Sequence, residues 1–209
     1  MTERELILSA APRSRRDGEG DAAPRSRGEW LVRAFDAERD ADAVSRIDTS
    51  YTSDQVYAVH RSGDVVALAP TSATAPQGKR AAIDLAAQRW THGCVAVLDD
   101  RVRGFLGWSF ESDSRRMTIW HVHVDRPYRR RGAGRRLMDA ALDWARRAGA
   151  LTVWLEISSA NHAAIVAVRR LGLEICGFDT TRYRGTSNQG EVAVYMAVTL
   201  DGDARPQDG

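Results

Sequence analysis

The chain has 209 residues, 43% of them apolar, enough for one compact domain and too few for two separate cores. Its 30 Lys and Arg against 28 Asp and Glu leave a net charge of +2, which argues against a general nucleic-acid or anionic-membrane partner. Cys94 and Cys176, far apart in sequence, make neither a disulfide framework nor a metal-ligand spacing; no metal is expected, and without an apolar run near the roughly 20 residues of a membrane span a cytoplasmic location is.

In chain order, residues 1–28 hold two Arg/Ser/Pro segments, Pro12-Arg13-Ser14-Arg15-Arg16 and Pro24-Arg25-Ser26-Arg27, around a Gly/Asp/Ala stretch. Such a composition buries almost nothing and reads as a disordered arm. A solvated tail is favoured over RNA binding because no aromatic residue is interleaved for stacking. Residues 29–200 read as the folded domain, and 201–209 as a loose tail. Leu31–Phe35 reads as a short strand, Asp36 as a helix N-cap, and Val44 with Ile47 as the apolar stripe of that helix. Two hairpins follow: Gln55–His60 with Val65–Ala69 around Ser62-Gly63-Asp64, then Cys94–Leu98 with Val102–Glu111 around Asp99-Asp100. Between them Ile83–Trp90 reads as a short helix. Met117–Val124 is a further long strand.

That strand leads into Arg129-Arg130-Arg131-Gly132-Ala133-Gly134, followed by a helix whose apolar residues Leu137, Met138, Ala141, Leu142 and Ala145 recur at helical spacing and stop at Gly149. A strand, a glycine turn and a helix N-terminus make an anion site: the glycines let backbone approach a ligand, and free N–H groups with the helix dipole point at phosphate oxygens. The spacing is neither a P-loop nor GxGxxG. The alternative is a glycine turn before a solvated basic helix face. A nucleic-acid patch over Arg126 to Arg136 explains the embedded glycines less well.

Arg-x-x-Gly-x-Gly preceded by Val122-His123-Val124-Asp125 and Tyr128 resembles the acetyl-CoA-binding motif of the GNAT superfamily of N-acetyltransferases. Leu151–Ile157, then Asn161-His162-Ala163-Ala164-Ile165 and Arg169-Arg170-Leu171-Gly172-Leu173, resemble its second cofactor segment. Within the superfamily, Cys176-Gly177-Phe178-Asp179, Tyr183-Arg184-Gly185, Glu191-Val192-Ala193-Val194-Tyr195 and Ile47-Asp48-Thr49-Ser50-Tyr51 are similar to segments of streptothricin acetyltransferases. The resemblance implies an α/β (α+β) fold: a mixed, mostly antiparallel sheet of about seven strands, flanked by helices, whose fourth and fifth strands are parallel and splayed. It implies acetyl-CoA as co-substrate and direct transfer to a primary amine of a small cationic acceptor, such as a streptothricin-like antibiotic. Protein N-terminal or lysine acetylation, and a non-catalytic acyl-CoA-binding module, stay open; homodimers occur in such families.

Carried over residue by residue, Val122, His123 and Val124 would supply backbone bonds to pantetheine. Arg129, Arg130, Arg131, Gly132, Ala133, Gly134 and Arg135 would cradle the pyrophosphate, and Asn161 would bond the pantetheine or simply cap its helix. A strand N–H near Val122 or Val124 would steady the oxyanion. His121 and His123 lie two apart and share a face if the strand is regular, with Trp120 and Val122 on the other; either imidazole is a candidate base or a structural residue. The streptothricin-type enzymes carry acidic residues where this chain has Trp120-His121, so a base on this strand is altered here. Many family members place a tyrosine acid where this chain has Val168, which leaves Tyr183, Tyr195 or water. Glu156 sits in an otherwise apolar strand and, with Asp179, is a candidate anchor for the acceptor; Glu111, Asp113 and Glu191 are further carboxylates, and Trp108 and Trp120 candidate cleft walls.

Overall fold

A computed structural model of the protein describes residues 28–200, apart from 82, 87 and 88 and the side chains of 76 and 77. The arm and tail read at the two ends lie outside the described residues, Gly28 excepted. The elements are β1 (Leu31–Ala34), α1 (Ala37–Ser45), β2 (Ser50–Ser62), β3 (Val65–Arg80), β4 (His92–Leu98), β5 (Arg101–Glu111), β6 (Arg116–Val124), α2 (Ala133–Arg147), β7 (Thr152–Ser158), α3 (His162–Arg169), β8 (Glu174–Asp179) and β9 (Ala193–Thr199). Seven strands form one sheet in the order β1-β4-β5-β6-β7-β9-β8, and β2-β3 form a second sheet of two. Only β6 and β7, fourth and fifth across the large sheet, run parallel; its other pairs are antiparallel.

Each face of the large sheet is covered because its strands alternate. Cys94, Ala96, Leu106, Met117, Ile119, Val153 and Leu155 pack against Leu137, Met138, Ala141, Leu142 and Ala145 of α2 and Ile165 and Val168 of α3. Val95, Val97 and Phe105 point the other way, onto Val44 of α1 and Ile47. The α2 residues recur every three or four positions, so one stripe is buried; truncating fully buried Leu137 to Ala costs about 3 kcal/mol. Gly149, at φ 74°, ends α2 in a left-handed turn, with Ala150 N–H donating back to Ala145 O at 2.9 Å. Asp36 caps α1 by accepting from Arg39 N at 3.0 Å. Inside that helix, burial pushes the Asp40 carboxyl up. The Arg33 fork at 2.6 and 2.8 Å, with bonds from Asp36 N and Arg39, outweighs burial and holds it at about 2.

The sequence reading needs three corrections. No helix forms among the described residues of Ile83–Trp90: Ile83, Leu85 and Trp90 pack onto the Val95/Phe105 cluster from a bent segment, a spacing that no helix presents to one side. The first hairpin turns at Gly63-Asp64 as expected, but its strands run far beyond Gln55–His60 and Val65–Ala69, out to Ser50 and Arg80. Finally, β6 is not regular. Gly107 pairs with His121 and Trp108 with Ile119, which leaves Trp120 as a bulge. Met117 and Ile119 before it, and Val122 and Val124 after it, therefore all face the α2 core. Trp120 does not share their face as an equal of Val122: it is 37% exposed, with its indole N–H donating to Ser109 Oγ at 2.9 Å.

Candidate functional site

The parallel pairing of β6 and β7 runs from Arg116/Thr152 to Ile119/Leu155 and ends there, although β6 continues to Val124 and β7 to Ser158. Beyond Ile119 the β6 backbone groups that point away from β5 meet no strand partner from β7, so the sheet opens into a cleft lined by main-chain donors and acceptors.

At the end of β6 the chain makes a short 3-10 turn over Arg126–Tyr128 and enters α2 through two left-handed residues, Arg130 at φ 63° and Gly132 at φ 87°. Gly132 is the N-cap and has no side chain to satisfy the first-turn N–H groups of α2. A Cβ on Gly132 would meet nothing within 4 Å, and one on Gly134 would meet only Val124 Cγ2 at 3.8 Å. Open space above unsatisfied donors, with exposed Arg130, Arg131, Arg135 and Arg136 around it, fits a diphosphate.

The Arg129 side chain does different work from its neighbours. Its Nε donates to Val124 O at 2.9 Å, Nη1 to Ser50 O at 2.6 Å and Nη2 to Asp48 O at 2.9 Å, tying the loop to the start of β2. Asp125 reinforces the tie by accepting from Asp48 N at 3.1 Å. Tyr128 is flanked by the Arg103 and Arg131 guanidiniums, 4.2 and 5.5 Å from its ring centre. Arg135 Nη2 donates to Arg170 O at 3.1 Å, joining α2 to the end of α3.

After the bulge His121 and His123 share the sheet face away from α2, with ring centres 5.9 Å apart and Phe105 beside His121. Burial, then the positive charges of His121 and Arg129, pull the His123 pKa down to about 4. Burial also lowers His121, but Asp84 opposes it by charge and through a backbone hydrogen bond. Across the cleft, Asn161 caps α3, its Oδ1 accepting from Ala164 N at 3.1 Å. His162 stacks on buried Tyr57 of β2 at 5.5 Å, and Tyr57 N–H donates to Ser159 O at 2.9 Å, which seats the hairpin beside the site. Val168 is buried in the core and offers no proton.

On β7, Val153, Leu155 and Ile157 are buried while Trp154, Glu156 and Ser158 face away from α2, the same side as the imidazoles. Glu156 lies one residue past the last paired position. It accepts from the Tyr183 hydroxyl at 2.9 Å and from Arg182 Nε at 3.0 Å. Burial, then the Glu156 charge and hydrogen bond, push the Tyr183 phenol well above its ordinary pKa. Asp179 organises the start of the same loop, accepting from Thr181 N at 2.6 Å, Thr181 Oγ1 at 2.7 Å and Arg182 N at 3.1 Å; the Tyr195 hydroxyl approaches it at 3.4 Å. Glu191 accepts from Ser158 Oγ and pairs with Lys79 of β3.

The structure thus groups Glu156, Asp179, Tyr183, Tyr195 and Glu191 on one side of the cleft and His121 and His123 on the other. Glu111 and Asp113 do not join them: Glu111 pairs with Arg116 at the opposite end of β6, and Asp113 follows in the turn. Trp108 is not a cleft wall either, being 3% exposed and packed against Trp144 on the α2 side. Sequence reasoning missed Arg182, Lys79 and Ser158. Arg182 adjoins a flagged tyrosine, whereas nothing near Lys79 marks it. Among the described residues no group of His, Cys, Asp or Glu could hold a metal ion, and no helix is long and apolar enough to cross a membrane.

Residues 63–173 match the Acetyltransferase (GNAT) family. The chain is 35% identical over 170 residues to the streptothricin acetyltransferase of Streptomyces lavendulae, covering 76% of this chain and 89% of that protein. The crystal structure of nourseothricin acetyltransferase superposes with a TM-score of 0.74 at 35% identity, over 82% of this chain and 99% of that one. A Bacillus anthracis protein solved in complex with acetyl coenzyme A shares the fold, with a TM-score of 0.70 at 23% identity over 82% of this chain and 100% of that one.

Proposed function

We propose, on the premise that this chain belongs to the acetyltransferase (GNAT) family, that it moves the acetyl group of acetyl-CoA directly onto a primary amine of a small cationic acceptor of the streptothricin class. The chain is an acetyl-CoA-dependent N-acetyltransferase; the acceptor and the residue roles are the proposed part. The observation that carries the acceptor reading is Glu156, with Asp179 and Glu191 close by, on the open side of the β6–β7 cleft. Carboxylates there draw ammonium groups to the place where main-chain donors are free. A cytoplasmic location goes with this reading.

Acetyl-CoA supplies an activated thioester. The backbone of Val122, His123 and Val124 takes its pantetheine arm as an added strand, with the Asn161 amide bonding the arm from α3. The backbone of Arg130 to Arg135 takes the diphosphate, and the Arg129 side chain holds that turn in place. A main-chain N–H in the opening beyond Ile119 donates to the thioester oxygen as negative charge develops on it.

The amine must lose a proton before it can attack, and an alkyl ammonium has a pKa of about 10.4. Transfer to His123, at about 4, is uphill by about 9 kcal/mol. His121 is the better acceptor because Asp84 supports its charged form, and we assign it the base role with His123 behind it. A phenol pushed above its ordinary pKa is a poor donor to a thiolate, so Tyr183 serves the acceptor side by orienting the Glu156 carboxylate, and the leaving thiolate takes its proton from water. Trp120, exposed at the bulge, walls the acceptor side.

The test is release of free coenzyme A thiol from acetyl-CoA with streptothricin, in parallel with a peptide bearing an N-terminal alanine and one bearing an internal lysine. Saturable turnover of streptothricin with mass gain of one acetyl supports the reading. Turnover of a peptide alone replaces it with protein acetylation, and acetyl-CoA binding without turnover of any amine replaces it with a binding module.

A further inference from the structure

The segment from Thr180 to Val192 carries part of the acceptor side and has no buried residue. Its turns bond mostly within themselves: Arg184 N to Thr181 O, Thr186 N to Tyr183 O and Glu191 N to Asn188 O. Side chains fasten it to the sheet at two carboxylates. Glu156 of β7 receives Arg182 and Tyr183. Glu191 lies against Ser158 Oγ and the Lys79 ammonium, and Lys79 Nζ also reaches Asn188 Oδ1 at 3.4 Å. Lys79 is thus a primary ammonium seated among a carboxylate, an amide oxygen and the neighbouring serine. Its side chain is 26% exposed and that of Glu191 12%, so the pair is far from the fully solvated ion pairs that contribute little.

A primary ammonium is the group that the acceptor brings. Ser158 and Glu156 sit two residues apart on one face of β7, so the two positions that anchor the loop are about 7 Å apart along the strand. We propose that Asn188, Glu191 and Ser158 form a subsite for a second, non-reacting ammonium of the acceptor, and that Lys79 fills it until the acceptor exchanges for it. This deepens the cationic-amine reading and rests on it. Lys79 is then a positioning residue: it keeps the loop ordered in the free enzyme and sets the threshold that an acceptor's charge must overcome. An acceptor with one ammonium gains nothing from the exchange, whereas one with two is held at both ends.

The experiment removes the resident cation and offers another in its place. In Lys79→Met, hydrogen exchange across residues 180–192 should speed about tenfold, and millimolar 1,5-diaminopentane should restore protection where equimolar sodium chloride does not. Lys79→Arg should keep the loop protected. With streptothricin, Lys79→Met should lower KM about fivefold with kcat and the acetyl-CoA Kd unchanged, since one competing charge is gone. Adding Glu191→Gln should abolish that gain. Unchanged exchange in Lys79→Met, or no protection by the diamine, overturns the subsite, as does an unchanged or raised KM for streptothricin. Diamine rescue in an enzyme that does not acetylate streptothricin sinks the acceptor reading instead and leaves the subsite standing.

Discussion

The Tyr183 hydroxyl donates to Glu156 Oε1 at 2.9 Å while Arg182 holds the other carboxylate oxygen at 3.0 Å. This bond turns the strand carboxylate toward the loop, and in the proposed reading the phenol serves binding more than proton delivery. Tyr183→Phe should lower kcat/KM for the acceptor about tenfold, mostly through KM, and leave acetyl-CoA affinity alone. A fall of about a hundredfold or more in kcat at constant KM would instead make the phenol a general acid. Steady-state kinetics at saturating acetyl-CoA separates the two.

Gly134 has open space where a side chain would go, and its backbone is not left-handed. Gly134→Glu should therefore fold with the wild-type urea midpoint while weakening acetyl-CoA binding on the order of 100-fold, because the carboxylate occupies the diphosphate space with the wrong charge. Calorimetric titration of both proteins with acetyl-CoA checks this.

Arg129 and Arg130 are sequence neighbours with opposite duties. Arg129→Ala leaves the carbonyls of Val124, Ser50 and Asp48 without their donors and should cost about 3 kcal/mol in urea denaturation. Arg129→Lys should recover little, since an ammonium cannot span that fork. Exposed Arg130, in contrast, should lose acetyl-CoA affinity on change to Ala with stability within about 0.5 kcal/mol of wild type.

His123 binds a proton near pH 4 when folded and near 6.5 when unfolded. Between those values the unfolded chain holds more protons, so stability rises with pH across this window and is fully present above it. It is lost as pH falls toward 4. The contribution is at most about 3 kcal/mol. In His123→Gln the slope of unfolding free energy between pH 4.5 and 6.5 should be shallower than in wild type, leaving the remainder that His121 supplies; equal slopes would place the imidazole outside the buried cluster.

The glycine turn and α2 were legible because local sequence alone determines them: a left-handed N-cap glycine, an apolar stripe at helical spacing and a glycine stop at Gly149. The seven-stranded sheet came from resemblance, and the parallel pair sits where that resemblance implied. Ile83–Trp90 was misread because its apolar residues satisfy a distant partner, the Val95/Phe105 cluster, and not a helix of their own. The reach of β2 and β3 was invisible for a related cause: the strand ends are pinned by Lys79 to Glu191 and Thr49 to Ala81, contacts that leave no mark in the polar residues between. At the candidate site, His121, His123, Glu156 and Tyr183 could be found from residue type and position. Lys79 could not, since a lysine near the end of a strand is ordinarily a solvated one.

Trp120, the bulge residue of β6, has a further consequence. With one residue unmatched, the strand turns odd-numbered positions before it and even-numbered ones after it toward α2. A deletion of Trp120 alone would remove the bulge and keep both faces, since His121 would follow Ile119 directly and still look away from α2. If the strand instead kept all its residues and paired without the bulge, everything downstream would roll to the other face. The imidazoles would then press into the greasy side of the sheet, with Val122 and Val124 looking out into the opening. The one unmatched residue thus separates a strand that turns nitrogen lone pairs toward the opening from a strand that turns methyl groups there.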